Sequence, residues 1–204
     1  MQIQAEKLTV GPLGTNCYLV HDGSVAAVID PGDEAGRIKT ALNEKGLSLA
    51  AILLTHGHFD HIGAVAALKE ETGAKVYMHR GDEEMTSDPA KSLCFLGGKS
   101  SAPFEADVFV NDGDVLSFGE MGLRVMHTPG HSSGGVCYIC GAVVFCGDLI
   151  FRRSIGRYDF GSLSDELASI HRLLAALPDE ALLYPGHGPH TTVGYEKANN
   201  PYIN

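Results

Sequence analysis

Between Thr55 and His61 the chain reads Thr-His-Gly-His-Phe-Asp-His, so that His56, His58, Asp60 and His61 crowd four potential metal ligands into six residues. Imidazole nitrogens and carboxylate oxygens together suit zinc, iron or manganese. Gly57 carries no Cβ, which lets the backbone bend tightly between two ligands. A polar surface turn is the competing reading, but packing gives no reason to set four such side chains side by side. Three further pieces have the same grammar: His127-Thr128-Pro129-Gly130-His131, Cys146-Gly147-Asp148, and Tyr184-Pro185-Gly186-His187-Gly188. Each sets a ligand-type residue beside glycine. Taken singly, His131, Asp148 or His187 is equally well a surface turn residue; together with the first motif they form a specific set. The chemistry to which they point is that of a metal centre.

Such residues need rigid supports, and the sequence supplies them as strands. The apolar run Ala50–Leu54 immediately precedes the first motif, and Leu123–Met126, Val143–Phe145 and Ala181–Leu183 precede the other three. Loops at strand ends commonly carry function on a fixed scaffold. Ile3–Val10, Cys17–Val20, Val25–Ile29 and Lys75–Met78 are further β-rich runs, separated by Gly- and Asp-Gly-containing turns. Helical spacing is expected over Asp33–Lys45, from His61 to Gly73, from a cap at Ser164 through Leu177, and over Thr191–Asn199. From Arg80 to Glu105 the pattern dissolves into Gly, Ser, Pro and charge, leaving a long loop with room for one short helix. Val108–Val110, Val115–Phe118, Leu123–His127, Val136–Ile139 and Val143–Cys146 then follow as a run of strands. Strands and helices thus come in two similar batches, which predicts two packed sheets with helices outside, an α/β sandwich of αββα layers.

Bulk properties narrow the classes. The 204 residues suit one domain, 1–204, without a linker-like shift in composition. A net charge of −10 argues against a nucleic-acid partner. No stretch approaches the roughly 20 apolar residues that span a bilayer, and no signal peptide is read at the start, so a cytoplasmic protein without membrane attachment is expected. Five cysteines, an odd number set among strand-like residues, fit reduced thiols better than a disulfide framework.

Several residues are set aside. His79 and His127 are expected to support the structure, and His21, His171 and His190 to lie at the surface, His190 close enough to the site to assist it. Cys137 and Cys140 are spaced as in a redox or zinc motif, but three residues apart on a strand their sulfurs point to opposite faces. Asp112 and Asp114 around Gly113 read as a hairpin turn.

Through His56-x-His58-x-Asp60-His61, His131, Asp148 and His187 the chain resembles the metallo-β-lactamase superfamily along essentially its whole length. The resemblance implies that His56, His58 and His131 hold one metal ion and Asp60, His61 and His187 a second, with Asp148 bridging. Penicillin-cleaving members commonly have a cysteine at the second site and lack the bridging aspartate, so Asp148 points to the dinuclear hydrolase branch. Two divalent ions, zinc first and iron or manganese as alternatives, would then polarise a carbonyl and acidify a shared water. Asp60 and Asp148 are the expected catalytic carboxylates. The phrases Leu54-Thr55-His56, His127 to Ser132, Gly147 to Phe151, Ser154-Ile155-Gly156-Arg157 and Glu196 to Pro201 look most like glyoxalase II, which hydrolyses the thioester S-D-lactoylglutathione. Two-domain members of that group carry a C-terminal helical extension that grips glutathione. This chain ends seventeen residues after His187 and so resembles the compact bacterial group. A small thioester is the expected partner, and Arg157 a candidate contact for an anionic substrate; the oligomeric state is not legible. The alternatives are a persulfide dioxygenase with mononuclear iron and a lactonase or other hydrolase of the same fold.

Overall fold

β-Branched and aromatic residues set the strands, and the two faces of those strands set the layers. In the computed structural model, which describes residues 3–96 and 102–203, β1 (Gln4–Val10), β2 (Thr15–His21), β3 (Val25–Ile29), β4 (Ser48–Leu53), β5 (Lys75–His79) and β6 (Val108–Val110) form one sheet in that spatial order. The first three strands run antiparallel, and β3 to β6 are mutually parallel. The chain then crosses to a second sheet, made by β7 (Val115–Phe118), β8 (Met121–His127), β9 (Val136–Cys140) and β10 (Val143–Gly147). A small hairpin of β11 (Ile150–Phe151) and β12 (Ser154–Ile155) follows. β13 (Leu182–Pro185) then lies parallel to β10, with β14 (Thr191–Thr192) at the edge.

Three apolar clusters hold these layers. Tyr18, Val20, Ile29 and Leu53 of the first sheet meet Leu123, Val125, Tyr138 and Phe145 of the second, between the sheets. Helices α1 (Ala35–Glu44) and α3 (Val65–Thr72) seat Ile38, Leu42, Val65 and Leu68 on the outer face of the first sheet. Helices α4 (Leu163–Ala175) and α5 (Val193–Asn199) seat Ile170, Leu173, Leu174 and Val193 on the outer face of the second. β2 is buried along its whole length because both its faces are covered. The αββα sandwich expected from the two batches of elements is the observed fold. Cys137 and Cys140 lie in different clusters, on opposite faces of β9, as the strand alternation requires.

Some local expectations need correction. The helix expected from His61 to Gly73 is two helices, α2 (Phe59–Ile62) and α3, broken at Gly63. There the loop after β3 presses in: Ala64 N donates to Pro31 O, and a Cβ on Gly63 would come within 2.1 Å of Gly32 O. Ser162, not Ser164, caps α4, its hydroxyl accepting from Asp165 N at 3.3 Å. Asp112-Gly113-Asp114 is not a hairpin turn; it carries the chain from β6 in one sheet to β7 in the other, with Gly113 N donating to Val125 O. His21 is buried, not at the surface. The Arg80–Glu105 loop holds 3-10 turns at Arg80–Thr86 and Cys94–Leu96, and its residues 97–101 fall outside the described part of the chain.

Candidate metal centre

Parallel pairing brings the chemistry-bearing loops to one edge. β3, β4 and β5 end in register, Ile29 beside Leu53 and Leu53 beside Tyr77, so Asp30, Thr55-His56 and the turn after His79 leave the first sheet together. In the second sheet Gly147 of β10 pairs with Pro185 of β13, which releases Asp148 and His187 side by side. The two edges are tied where Val136 N donates to Thr55 O, and Asn16 N to Gly186 O. A crevice beyond the carboxyl ends of parallel strands is where such sheets bind ligands.

Two glycines are required by close approach. A Cβ on Gly57 would lie 2.7 Å from Met85 Cβ, and one on Gly186 would lie 2.1 Å from Asp148 Oδ1. Any side chain at either position would push a ligand-bearing turn out of place.

All seven ligand-type residues picked out in the sequence converge. The ligand atoms of His56, His58 and His131 lie within 4.8 Å of one another, as do those of Asp60, His61 and His187. Asp148 lies between the two groups. Its Oδ1 is 3.4 Å from His61 Nε2, and its Oδ2 is 3.7 Å from His131 Nε2 and 3.6 Å from His187 Nε2. A third grouping, of Asp30 with His56 and His61, meets the same distance limit. Asp30 is already committed, however: its Oδ2 faces His61 Nδ1 at 3.0 Å and accepts from Thr55 Oγ1, and its Oδ1 accepts from Thr55 N. We therefore read Asp30 as the support of His61.

The imidazoles are oriented from behind. His131 Nδ1 lies 2.7 Å from the main-chain oxygen of Arg157, and His56 Nδ1 lies 3.1 Å from Thr55 Oγ1. With His61 Nδ1 on Asp30, each of these three rings has Nδ1 engaged, which leaves the Nε2 lone pair for a ligand in the centre. Those Nε2 atoms, together with Asp148 Oδ1, are buried without a hydrogen-bond partner. Buried polar atoms are normally satisfied, and a cluster of unsatisfied ones calls for a specific explanation. A cation accepted by all of them supplies one, so the donor set fits metal ions.

Charge in the cluster is sorted in the same way. Burial, reinforced by neighbouring imidazoles, holds His56 far below its ordinary pKa, and burial with His131 takes His58 down to about 3. These rings are neutral and able to ligate. His61 goes the other way: burial opposes its charge, but Asp60, Asp148 and Asp30 outweigh that and raise it. His187 rises too, its hydrogen bond to Asp60 overcoming burial. Burial would raise both carboxyls, yet His61 and its neighbours hold Asp148 down to about 2 and Asp60 below the usual carboxylate range. Asp60 Oδ2 also accepts from Thr15 Oγ1 at 3.0 Å and lies 3.1 Å from His187 Nε2.

Sequence reading passed over three buried acids. Asp30 follows β3 ahead of Pro31-Gly32, in the same strand-exit setting as the ligands, and that was the available signal. Asp82 joins the two histidine loops, accepting from Gly57 N, Ser132 Oγ and Gly134 N. Glu166, two residues into the helix expected from Ser164, is fully buried against Gly130 and Gly156, and burial pushes its carboxyl up to about 8. Arg157, the candidate substrate contact, lines the cavity at the cluster, but its guanidinium donates to Asp159 Oδ2 at 2.8 Å. His190 is exposed, with its ring edge-on to Tyr184, and His79 and His127 stack on each other at 4.0 Å.

The cluster forms the floor of a cavity of about 390 Å³ whose walls include Leu13, Phe59, Leu96, Phe151 and Phe160. Among the described residues, no helix is long and apolar enough to cross a membrane.

Comparison with known proteins gives consistent matches. The family model described as Metallo-beta-lactamase superfamily matches residues 10–187. The hydroxyacylglutathione hydrolase GloC of Haemophilus influenzae is 35% identical over 210 residues, covering 98% of this chain and 97% of that protein. Among solved structures, the B3 metallo-beta-lactamase BLEG-1 superposes with a TM-score of 0.93 at 38% identity, covering 98% of this chain and 100% of that one. TTHA1623, in a di-iron-bound form, gives 0.85 at 40% identity, covering 97% and 99%.

Proposed function

Because this chain belongs to the metallo-beta-lactamase superfamily, we propose that it is a dinuclear metal-dependent hydrolase acting on thioesters of the S-D-lactoylglutathione type. The observation that carries the reading is the set of inward-facing, unpartnered Nε2 atoms of His56, His61 and His131 around Asp148 Oδ1. Likeness to a hydroxyacylglutathione hydrolase over nearly the whole of both chains supports the substrate class. His56, His58 and His131 would hold one ion, Asp60, His61 and His187 the other, and Asp148 both. Zinc is the first expectation; likeness to a di-iron protein keeps iron in view, and manganese suits the same donors.

When bound, the two ions would supply Lewis acidity toward a carbonyl oxygen and a water acidic enough to lose its proton near neutrality. The chain's own residues do the rest. Asp60, fixed by Thr15 Oγ1 and His187, stands at the cavity floor where it can orient a water. Leu13, Phe59 and Phe151 narrow the approach and limit bulk water. Among the described residues lining the cavity there is no serine or cysteine to act as nucleophile. A thiolate leaves readily and needs little acid assistance, which suits a site in which His56 and His58 are held neutral.

The test is metal analysis alongside turnover. Protein purified with zinc, iron or manganese should hold close to two ions per chain and hydrolyse S-D-lactoylglutathione. Absence of thioester hydrolysis with all three metals would overturn the substrate class. Oxygen uptake with glutathione persulfide, or opening of a lactone or β-lactam ring, would then identify the activity.

A further inference from the structure

The wall of the cavity has a chemical character that its floor does not share. Leu13, Leu96 and Phe160 line it while remaining 51%, 42% and 51% exposed, and Phe59, Leu93 and Phe151 complete the apolar side. Phe95, 65% exposed, meets the Phe160 ring edge-on at 6.2 Å and extends the apolar rim outward. Large apolar side chains scattered singly over a surface need no explanation, but a contiguous set around a concave mouth marks a binding surface. The volume, about 390 Å³, lies in the range of small-molecule sites, about 300–1,000 Å³.

Charge points the same way. Among the described residues lining this cavity, Arg157 is the only lysine or arginine. Its guanidinium is held by Asp159 and lies 5.5 Å over the Phe160 ring, so it acts as part of the rim before it is a clamp for anions. A strongly anionic substrate arm would gain one shared cation here and bury no apolar surface. An alkyl or aryl arm would meet six apolar side chains.

We propose that the pocket selects substrates carrying an apolar arm of several carbons beside the scissile carbonyl, with Leu13, Leu96 and Phe160 as the specificity-determining residues. The inference rests on the hydrolase reading above, since it takes the metal cluster as the reacting end of the same cavity. An apolar surface of this kind could alternatively be covered by a second copy of the chain, and the experiment separates the two.

Two series of neutral thioesters test it with the metal-loaded protein, one lengthening the acyl group from acetyl to octanoyl, the other the S-alkyl group. kcat/KM should rise about two- to fourfold per methylene in one of the series, as expected for partial to full burial of each group. The double variant Leu13→Ser/Phe160→Ser should flatten that slope while metal content stays the same. Alkyl hydroxamates of the same lengths give a readout free of turnover, their Kd by calorimetry falling by a similar factor per methylene. Thioester turnover with no length dependence in either series, and hydroxamate affinity independent of length, would overturn the proposal and leave the hydrolase reading intact. Length-dependent hydroxamate binding without thioester turnover would support the apolar pocket and overturn the thioester assignment. A dimer in sedimentation that Phe160→Ser dissociates, with flat length series, would overturn the pocket in favour of a subunit interface.

Discussion

Replacing Asp30 by asparagine should weaken the half of the centre that contains His61, although Asp30 itself faces no ion. The residue is 1% exposed and its Oδ2 serves two partners, His61 Nδ1 at 3.0 Å and Thr55 Oγ1 at 2.6 Å; Oδ1 accepts from Thr55 N at 2.7 Å. Asparagine keeps one oxygen, and the main-chain N–H of Thr55 will hold it. The amide nitrogen then faces His61 Nδ1, which can no longer donate and must accept. The His61 proton moves to Nε2, the atom that lies 3.5 Å from Asp60 and 3.4 Å from Asp148, so the lone pair is lost from the centre. Restoring it costs a buried donor facing a donor. Substitutions of such supporting groups typically lower metal affinity about 10–100-fold, which is about 1.4–2.7 kcal/mol.

The backbone does not confuse the result. Asp30 has φ 52°, in the left-handed region that asparagine enters at least as readily as aspartate, whereas alanine would add strain. Competition with a chromogenic chelator, read as two binding steps, is the assay. One step should weaken by the factor above. The step that belongs to His56, His58 and His131 should change little, because Thr55 Oγ1 still accepts from His56 Nδ1. Both steps within twofold of wild type, with kcat/KM unchanged, would refute the role given to Asp30.

Asp148→Ala removes the carboxylate that lies between the two groups of ligands, so two cations would repel each other unscreened in a partly dry site; loss of metal and of nearly all activity is expected, whereas His190→Ala, on an exposed ring, should keep both. Equal behaviour of the two variants in metal analysis would show that the ligand assignment is wrong. Arg157→Ala should leave metal content unchanged, because His131 is held by the main-chain oxygen of residue 157, yet raise KM for an anionic thioester and spare a neutral one; a drop in bound metal would contradict this. Glu166→Gln should stabilise the metal-free protein increasingly as pH rises from about 5 to 8. The wild-type carboxyl stays protonated in the fold up to about 8, while the unfolded chain ionises from its ordinary value of 4.5. Stability is therefore lost across that window, on the order of 3 kcal/mol by pH 7, and a variant-minus-wild-type difference that does not change with pH would count against it.

The ligands were legible because their residue types are uncommon and their crowding improbable. His56, His58, Asp60 and His61 have no packing reason to be neighbours, and Asp148 and His187 stand beside glycines at strand exits. Strand runs were legible too, Val25–Ile29 to the residue. Pairing was not. Nothing in the sequence says that β10 lies parallel to β13 with Gly147 beside Pro185, and it is that register which sets Asp148 next to His187. Nor does the sequence show that Pro31-Gly32 presses on Gly63 and splits one expected helix into two.

The supports stayed hidden for a different reason. Asp30 and Asp33 are three residues apart and identical as letters. Asp33 is exposed and accepts from Glu34 N in a local turn, while Asp30 is buried and fixes both His61 and Thr55. What separates them is which partners the folded chain brings to them, Thr55 from twenty-five residues away and His61 from thirty-one. The same holds for Asp82, whose bonds reach Gly57 on one side and Ser132 on the other across 25 and 50 residues. An acid in this acidic chain is expected to be solvated. It becomes a positioning group only when burial removes its water and leaves protein donors as its remaining partners. Burial of that kind is a property of the closed sandwich, so the residues that aim the histidines can be identified only once both sheets are in place.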